Sequence, residues 1–532
     1  MTRRPQPPNA RRGRDRRAQI IPPPPGTARV TGAPPSAAVI GGGIAGLAAA
    51  TALAERGVRV TLYERAPHLG GRAGAFPVGL RDGTTATVTR GFHAFFRQYY
   101  NLRGLLRRTD PALSRLVPLP DYPLRHRDGL HDSFRRVPRT PPWSALGFAA
   151  TSPTFRPRDL LRMRPLAAVP LFDVQVPCVY EQLDSVSAHD FLAALRFPQA
   201  ARHLAFEVFS RSFFADPRQL SAAEMAMMFH IYFLGSSEGL LFDVPREPFT
   251  DALWNPLADY LRSHGATLHT ATAVTGVTRP PQGGFTVSST LGDHHHDAAV
   301  LALDTAGLRD LVARSPRLGD DAWRAGIARL RTAPPFLVTR LWLDRPVAAD
   351  RPGFLGTSGF GALDNVSVLE RWEGQSARWS ARTGGSVVEL HAYAVDPNRD
   401  RTTVQSHLTD QLLQIYQELR GATILDAVHQ WHDDCPLFAA GTYSGRPTVR
   451  TPDPYLVLAG DLVRTDLPVA LMERAATSGF LAANALLERW GVRGQPLWTV
   501  PRHGRSPTLR TLARAADRLT PGGYGYGSPP PR

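Results

Sequence analysis

The chain has 532 residues, 43% of them hydrophobic, and a formal net charge of +16. That length exceeds one small core and points to two connected globular domains, while two cysteines, Cys178 and Cys435, exclude a disulfide framework and any cysteine-based zinc site. The charge sits at the ends, with eight Arg against one Asp in residues 1–35 and six Arg against one Asp in residues 501–532, so the body is only mildly basic and a nucleic-acid partner is not expected.

Residues 1–35 are rich in Arg and Pro and are expected to be a disordered basic tail. Arg16-Arg17 lacks a following apolar run, so it is not an export signal.

The next segment is the most informative one. Ala37-Ala38-Val39-Ile40 reads as a short buried strand, and Gly41, Gly43 and Gly46 form GxGxxG at the start of an Ala-rich helix. A second strand, Val58 through Tyr63, ends in Glu64, 18 residues past the last glycine. Gly41 permits the tight turn, Gly43 lets backbone approach a pyrophosphate, and Gly46 lets helix and strand pack closely. Ile44 and Ala45 open the helix whose N–H groups would meet the phosphates. Glu64 can accept from an adenosine ribose, with Arg65 beside it. The 17 uncharged residues from 38 to 54 are too few for a membrane span and contain three successive glycines. Gly70-Gly71-Arg72 then supplies N–H groups and a guanidinium for a second phosphate.

Residues 89–106 pack Phe92, Phe95, Phe96, Tyr99 and Tyr100 around His93, Arg90 and Arg97. They read either as aromatic core or as the floor of an apolar substrate channel. Helical periodicity follows at 188–195, 201–214 and 221–234, with Phe206, Phe209, Phe213, Met225, Met228, Phe229, Tyr232 and Phe233 on the apolar faces. A helix at 253–262 leads into strands near Thr267 and Val274, the latter placed beside the cofactor. The triplet His294-His295-His296 reads as a solvated turn, since strand neighbours point to opposite faces and would split a metal site.

Strands are expected at 336–343 and 386–394 and a helix at 406–419. Residues 455–461 form a buried parallel strand ending in Gly460-Asp461, and a helix follows at 471–487. This second strand end favours FAD over NAD. Asp461 can accept a ribityl hydroxyl, and the helix start at Ala470, Leu471 and Met472 would face the flavin pyrimidine edge. Its partial positive charge favours a reduced, anionic flavin by roughly 0.3–2 kcal/mol.

Together Gly41 to Gly46, Glu64, Gly70-Gly71-Arg72, Ala459-Gly460-Asp461, Met472-Glu473-Arg474-Ala475 and Ser478-Gly479 resemble the carotenoid desaturase branch of the FAD-dependent amine-oxidase-like superfamily. The likeness spans about residues 36–490. Gly91-Phe92-His93-Ala94-Phe95-Phe96, Tyr100-Asn101-Leu102, Asp121-Tyr122-Pro123-Leu124 and Pro138 to Trp143 resemble the carotenoid φ-ring synthases, also called isorenieratene synthases. The resemblance implies an α/β fold: a Rossmann-like FAD-binding domain of amine-oxidase type, with an interleaved α+β substrate domain. The cofactor domain would take residues 36–125, 250–304 and 431–495. The substrate domain would take 126–249 and 305–430, and 496–532 would be a second disordered tail. It also implies FAD, a hydrophobic carotenoid substrate, and β-ionone rings converted to aromatic φ-rings by desaturation with methyl migration. His93 is the candidate catalytic base, on residue type and position. The electron acceptor would be a quinone or oxygen. So apolar a substrate implies peripheral contact with the cytoplasmic face of a membrane, through residues 145–163 with Phe148, Phe155, Leu160, Leu161, Arg156, Arg158 and Arg162. Other readings of the same residues are a phytoene- or ζ-carotene-type desaturase or isomerase, an amine oxidase, and a non-redox carotenoid-binding protein.

Overall fold

A computed structural model describes residues 15–155, 158, 169–198 and 214–519. Strand β1 (Gln19–Ile21) comes first, followed by β2 (Ser36–Ile40), α1 (Ile44–Ala54) and β3 (Arg59–Tyr63). Helices α2 (Tyr100–Leu106), α3 (Trp143–Thr151) and α4 (Ala222–Phe229) lead to β4 (Thr267–His269), β5 (Gly292–His296) and β6 (Ala298–Leu301). Strands β7 (Phe336–Leu343), β8 (Asn365–Val368), β9 (Ser386–Ala392), β10 (Ile424–His432) and β11 (Leu456–Leu458) precede α5 (Leu471–Arg489), β12 (Leu497–Thr499) and α6 (Pro507–Leu519).

Two sheets organise these elements. The first has the order β4-β3-β2-β6-β11 and is parallel throughout. Its strands come from widely separated parts of the chain, and all end at one edge, where open α/β sheets place ligands. Every residue of α1 is buried, between this sheet and α5. The second sheet begins β10-β7-β9-β8, antiparallel, with β7 and β9 buried along their whole length. A separate apolar core surrounds α4 and the π-helical turn His230–Leu234 that extends it, and there Met225, Met228, Tyr232 and Phe233 are buried. The helix Thr305–Arg314 packs Leu308, Leu311 and Val312 into the core of the first sheet rather than the second.

Several expectations change. Residues 15–35 and 496–519 are ordered where disordered tails were expected: β1 pairs antiparallel with β12, and Asp15 is buried in an ion pair with Arg505 at 2.6 Å. Residues 1–14 and 520–532 of the expected tails lie outside the described residues. The histidine triplet lies on β5, not in a turn, and His296 points inward to the Tyr63 hydroxyl at 3.1 Å. Among the described residues no cluster of His, Cys, Asp or Glu is arranged to hold a metal ion. The expected helix at 201–214, with Phe206, Phe209 and Phe213, lies outside the described residues apart from Phe214. So do Arg156, Leu160, Leu161 and Arg162 of the expected membrane segment. Phe148 of that segment faces inward, 5.1 Å from the Phe134 ring. Among the described residues no helix is long and apolar enough to cross a membrane.

One buried charge pins the two halves together. Glu224 on α4 is fully buried and pairs with Arg446 and, at 2.8 Å, with Arg474 on α5. Both guanidiniums also stack on Phe438, at 4.7 and 4.8 Å. Burial alone would raise the Glu224 carboxyl; the two arginines outweigh it and lower it. Glu224→Ala strands two buried cations, so we expect a loss of about 3–5 kcal/mol, read as a lower denaturant midpoint. An unchanged midpoint would contradict the pinning role.

Candidate active site

At the ligand edge, β2 leaves through Gly41, whose φ of 110° suits only glycine. The Gly41 N–H donates to the Tyr63 carbonyl at 2.8 Å, tying the ends of β2 and β3 together. A Cβ on Gly46 would stand 1.9 Å from the Gly41 carbonyl oxygen, so this glycine serves the packing of helix on strand. Gly43 differs: a Cβ there would meet only the Gly71 Cα, at 3.8 Å. The protein itself does not need Gly43 bare, and the space in front of it is a cradle that a side chain would fill.

The helix starts carry the same message. Ser187, Ser221, Asp304, Asp320 and Asp400 cap their helices with side-chain oxygens. Helix α1, entered from Gly43, and α5, entered from Ala470, have no side-chain cap; α2 and α3 also lack one, but α1 and α5 start together at one opening. The first N–H groups of a helix need acceptors from outside it. Here the opening residues of both helices, Ile44 and Ala45 on one side and Leu471 and Met472 on the other, line a single cavity of about 1050 Å³. Leu471 adopts φ 52°, a left-handed conformation uncommon outside glycine, at this turn into the cavity.

Most of the expected cofactor residues meet at this cavity. Gly41, Gly43, Glu64, Arg65, Gly70, Gly71, Arg72, Val274, Gly460 and Asp461 all line it. Glu64 accepts the Gly42 N–H at 2.6 Å and the Ala66 N–H at 2.7 Å, one on each oxygen. Each oxygen keeps a lone pair for ribose hydroxyls. Arg72 pairs with Asp461 at 2.5 Å, joining the Gly-Gly-Arg turn to the loop after β11. Two expected residues do not reach the cavity wall: Gly46 is used in packing, and Ala470 is buried in the core around α4. A dinucleotide with a flavin head fits this donor set, with phosphates at α1, ribose at Glu64 and an electronegative ring edge at α5.

Beyond Arg72 the wall becomes aromatic, with Phe92, Phe96, Tyr122, Tyr232 and Phe242. His93 stands among them. Its Nδ1 is 2.8 Å from the Gly91 carbonyl, which can only accept, so Nδ1 carries the proton of the neutral ring. Burial lowers its pKa to about 4, despite that hydrogen bond. A base that weak is poorly matched to neutral pH.

A polar group closes the same end and was missed from sequence. Glu389, His391 and Tyr393 alternate with Val388, Leu390 and Ala392 on and just beyond β9, and His391 and Tyr393 line the cavity. Period-two polarity within an otherwise apolar buried strand was the available signal. Register supplies the partners: Arg340 on β7 lies opposite Glu389, and Asn365 on β8 opposite His391. Cys435, also in the wall, has its thiol pushed up to about 11 by burial and is unreactive as a nucleophile.

Known proteins share this chain's sequence pattern and fold. The family model described as "Flavin containing amine oxidoreductase" matches residues 44–487. A protein named "Carotenoid phi-ring synthase" from Streptomyces griseus is 68% identical over 507 residues, covering 95% of this chain and 98% of its own. One of the same name from Chlorobaculum tepidum is 27% identical, covering 88% and 91%. Among solved structures, cyclohexylamine oxidase from Brevibacterium oxydans superposes with a TM-score of 0.62 at 15% identity, over 86% of this chain and 99% of its own. That likeness extends to the fold.

The two glycines should therefore fail differently. Gly46→Ala forces an overlap that costs ~3 kcal/mol or more and lowers the melting temperature. Gly43→Val should fold normally yet show no flavin absorbance; a yellow, fully loaded Gly43→Val would contradict the site.

Proposed function

The chain belongs to the flavin-containing amine oxidoreductase family and, within it, to the carotenoid φ-ring synthases, and from this we propose that it is an FAD-dependent oxidoreductase that turns the β-ionone rings of β-carotene into aromatic φ-rings, forming isorenieratene. The observation that carries the reading is the single cavity in which two uncapped helix N-termini meet an aromatic wall.

When bound, FAD would supply the hydride acceptor. Gly41, Gly43, Ile44 and Ala45 would hold its diphosphate, Glu64 its ribose, and Arg72 with Asp461 its ribityl chain. Leu471 and Met472 would bring the positive end of α5 to the ring edge. The remaining cavity admits one end of a long hydrocarbon. Loss of a hydride leaves positive charge on the substrate ring, and the faces of Phe92, Phe96, Tyr122 and Phe242 attract it, each by about 0.5–2 kcal/mol. Phe92 is itself stacked on Phe354, with ring centroids 4.2 Å apart. A 1,2-methyl shift moves the charge within the ring and needs no methyl donor. Neutral His93 adds no opposing charge beside the cation.

A substrate that partitions into bilayers is best drawn from the membrane. Helix α3 is apolar on two sides: Phe148 packs against Phe134, which lines the cavity, whereas Trp143 and Leu146 are 61% and 47% exposed. This helix is our membrane contact, at the cytoplasmic face, with reoxidation by a quinone or oxygen.

Expression in bacteria that accumulate β-carotene should yield an aromatic-ended pigment lighter by four hydrogens per converted ring. Unchanged β-carotene beside flavin-loaded protein would contradict the reading. Trp143→Ser with Leu146→Ser should weaken flotation with anionic liposomes about tenfold or more; equal flotation would remove α3 as the contact.

A further inference from the structure

The polar chain behind the aromatic wall has no evident use in holding a cofactor or a hydrocarbon. Arg340 donates to Glu389 at 2.8 Å, and also to the Thr87 carbonyl and the Thr89 hydroxyl. Glu389 lies 3.0 Å from His391 Nε2, and His391 Nδ1 lies 2.6 Å from the Tyr393 hydroxyl. The Asn365 amide donates to the same hydroxyl at 3.0 Å. Arg340 and Glu389 are almost completely buried, and Tyr393 is the outermost member. Buried ion pairs rarely stabilise a fold more than apolar side chains of the same size would. Val388, Leu390 and Ala392 fill the opposite face of β9 with apolar side chains, whereas this face carries the polar series in their place, and so for something other than stability.

The series also has a direction. Burial alone would raise the Glu389 carboxyl; Arg340 and His391 outweigh it and hold it at about 2, so it is ionised. An ionised carboxylate only accepts, which places a proton on His391 Nε2 and leaves Nδ1 as acceptor. The Phe92 N–H, 3.2 Å from Nε2, favours the other tautomer. It is a longer, neutral contact, and the charged one prevails. The Tyr393 hydroxyl then donates inward to Nδ1 and turns an oxygen lone pair to the cavity.

We propose that Tyr393 is the catalytic residue that takes the proton leaving the substrate ring, passing its own phenolic proton to His391, with Glu389 and Arg340 as positioning residues. The inference rests on the function proposed above. In each two-electron step a hydride leaves one ring carbon for the flavin of that reading, and the methyl shift is redox-neutral. A neighbouring C–H bond then breaks, and its electron pair becomes the new ring double bond. The proton goes to the Tyr393 oxygen while the Tyr393 O–H proton moves to His391 Nδ1. The resulting imidazolium faces the Glu389 carboxylate. Four C–H bonds break per ring, two giving hydrides and two giving protons, so the relay works twice; between rounds it releases its proton and the flavin is reoxidised by the quinone or oxygen of that reading.

The test compares full-length wild type, Tyr393→Phe and His391→Gln, each assayed for flavin content, melting temperature, β-carotene binding by fluorescence quenching, and product formation with an added quinone as acceptor in H2O and D2O. We expect both variants to load flavin and bind β-carotene like wild type while forming aromatic product about 100-fold more slowly or worse. The wild-type turnover should slow in D2O, and the residual Tyr393→Phe turnover should not. Tyr393→Phe at the wild-type rate, or the same D2O effect in both, overturns the relay alone. Loss of flavin or melting temperature in both variants assigns the chain a structural role and also overturns it. A flavin-loaded wild type that leaves β-carotene unchanged overturns the functional reading on which the relay rests.

Discussion

The site depends on the backbone contact between α1 and α5. A Cβ on Gly479 of α5 would lie 2.2 Å from the Ala45 carbonyl oxygen of α1. The helices therefore touch main chain to main chain, and Gly46 brings α1 equally close to the end of β2. With α1, α5 and the parallel sheet locked in this way, two helix N-termini open into one cavity. Neither is capped by its own side chains, so both keep N–H groups and a partial positive charge for an anionic or electronegative ligand. A second side chain at any of these contacts would separate the two ends of the cofactor site.

The first turn of α5 also organises the substrate side. Glu473 accepts the N–H groups of Asn101 and Leu102, both at 2.9 Å, and so caps α2 from another helix. The next residue, Arg474, reaches Glu224 on α4 and the carbonyl of Val469. One helical turn thus presents Leu471 and Met472 to the cavity and fixes the aromatic segment before α2 and the apolar core around α4. Cofactor and substrate walls are set by the same few residues, which suits a reaction passing a hydride across the boundary between them.

The sequence made legible what is local. GxGxxG, Glu64, Gly-Gly-Arg and Gly460-Asp461 each carry their reason within a few residues, and all but Gly46 of those motif glycines appear at the cavity. The buried strands at 336–343 and 386–392 were also readable from their apolar runs. What stayed hidden depends on register between distant strands. Glu389, His391 and Tyr393 alternate visibly, but their meaning depends on Arg340 and Asn365 standing opposite them, which only the sheet decides. Residues 15–35 and 496–519 depart from expectation for a related reason. Arg and Pro content describes an average, whereas the pairing of three residues of β1 with three of β12 depends on particular residues far apart in the chain.

The account's central claim is that one cavity of this chain removes hydrogens from a ring and moves a methyl group within it. The direct measurement is anaerobic reaction of the purified, flavin-loaded protein with β-carotene isotopically labelled in both geminal methyls of a ring, first alone and then with an added quinone to reoxidise the flavin, followed by NMR of the product. The expected result is bleaching of the flavin before the quinone is added, and afterwards one labelled methyl on the original ring carbon and the other on its aromatic neighbour, with no added methyl donor. Label lost to solvent, or an aromatic ring formed without flavin bleaching, would contradict it.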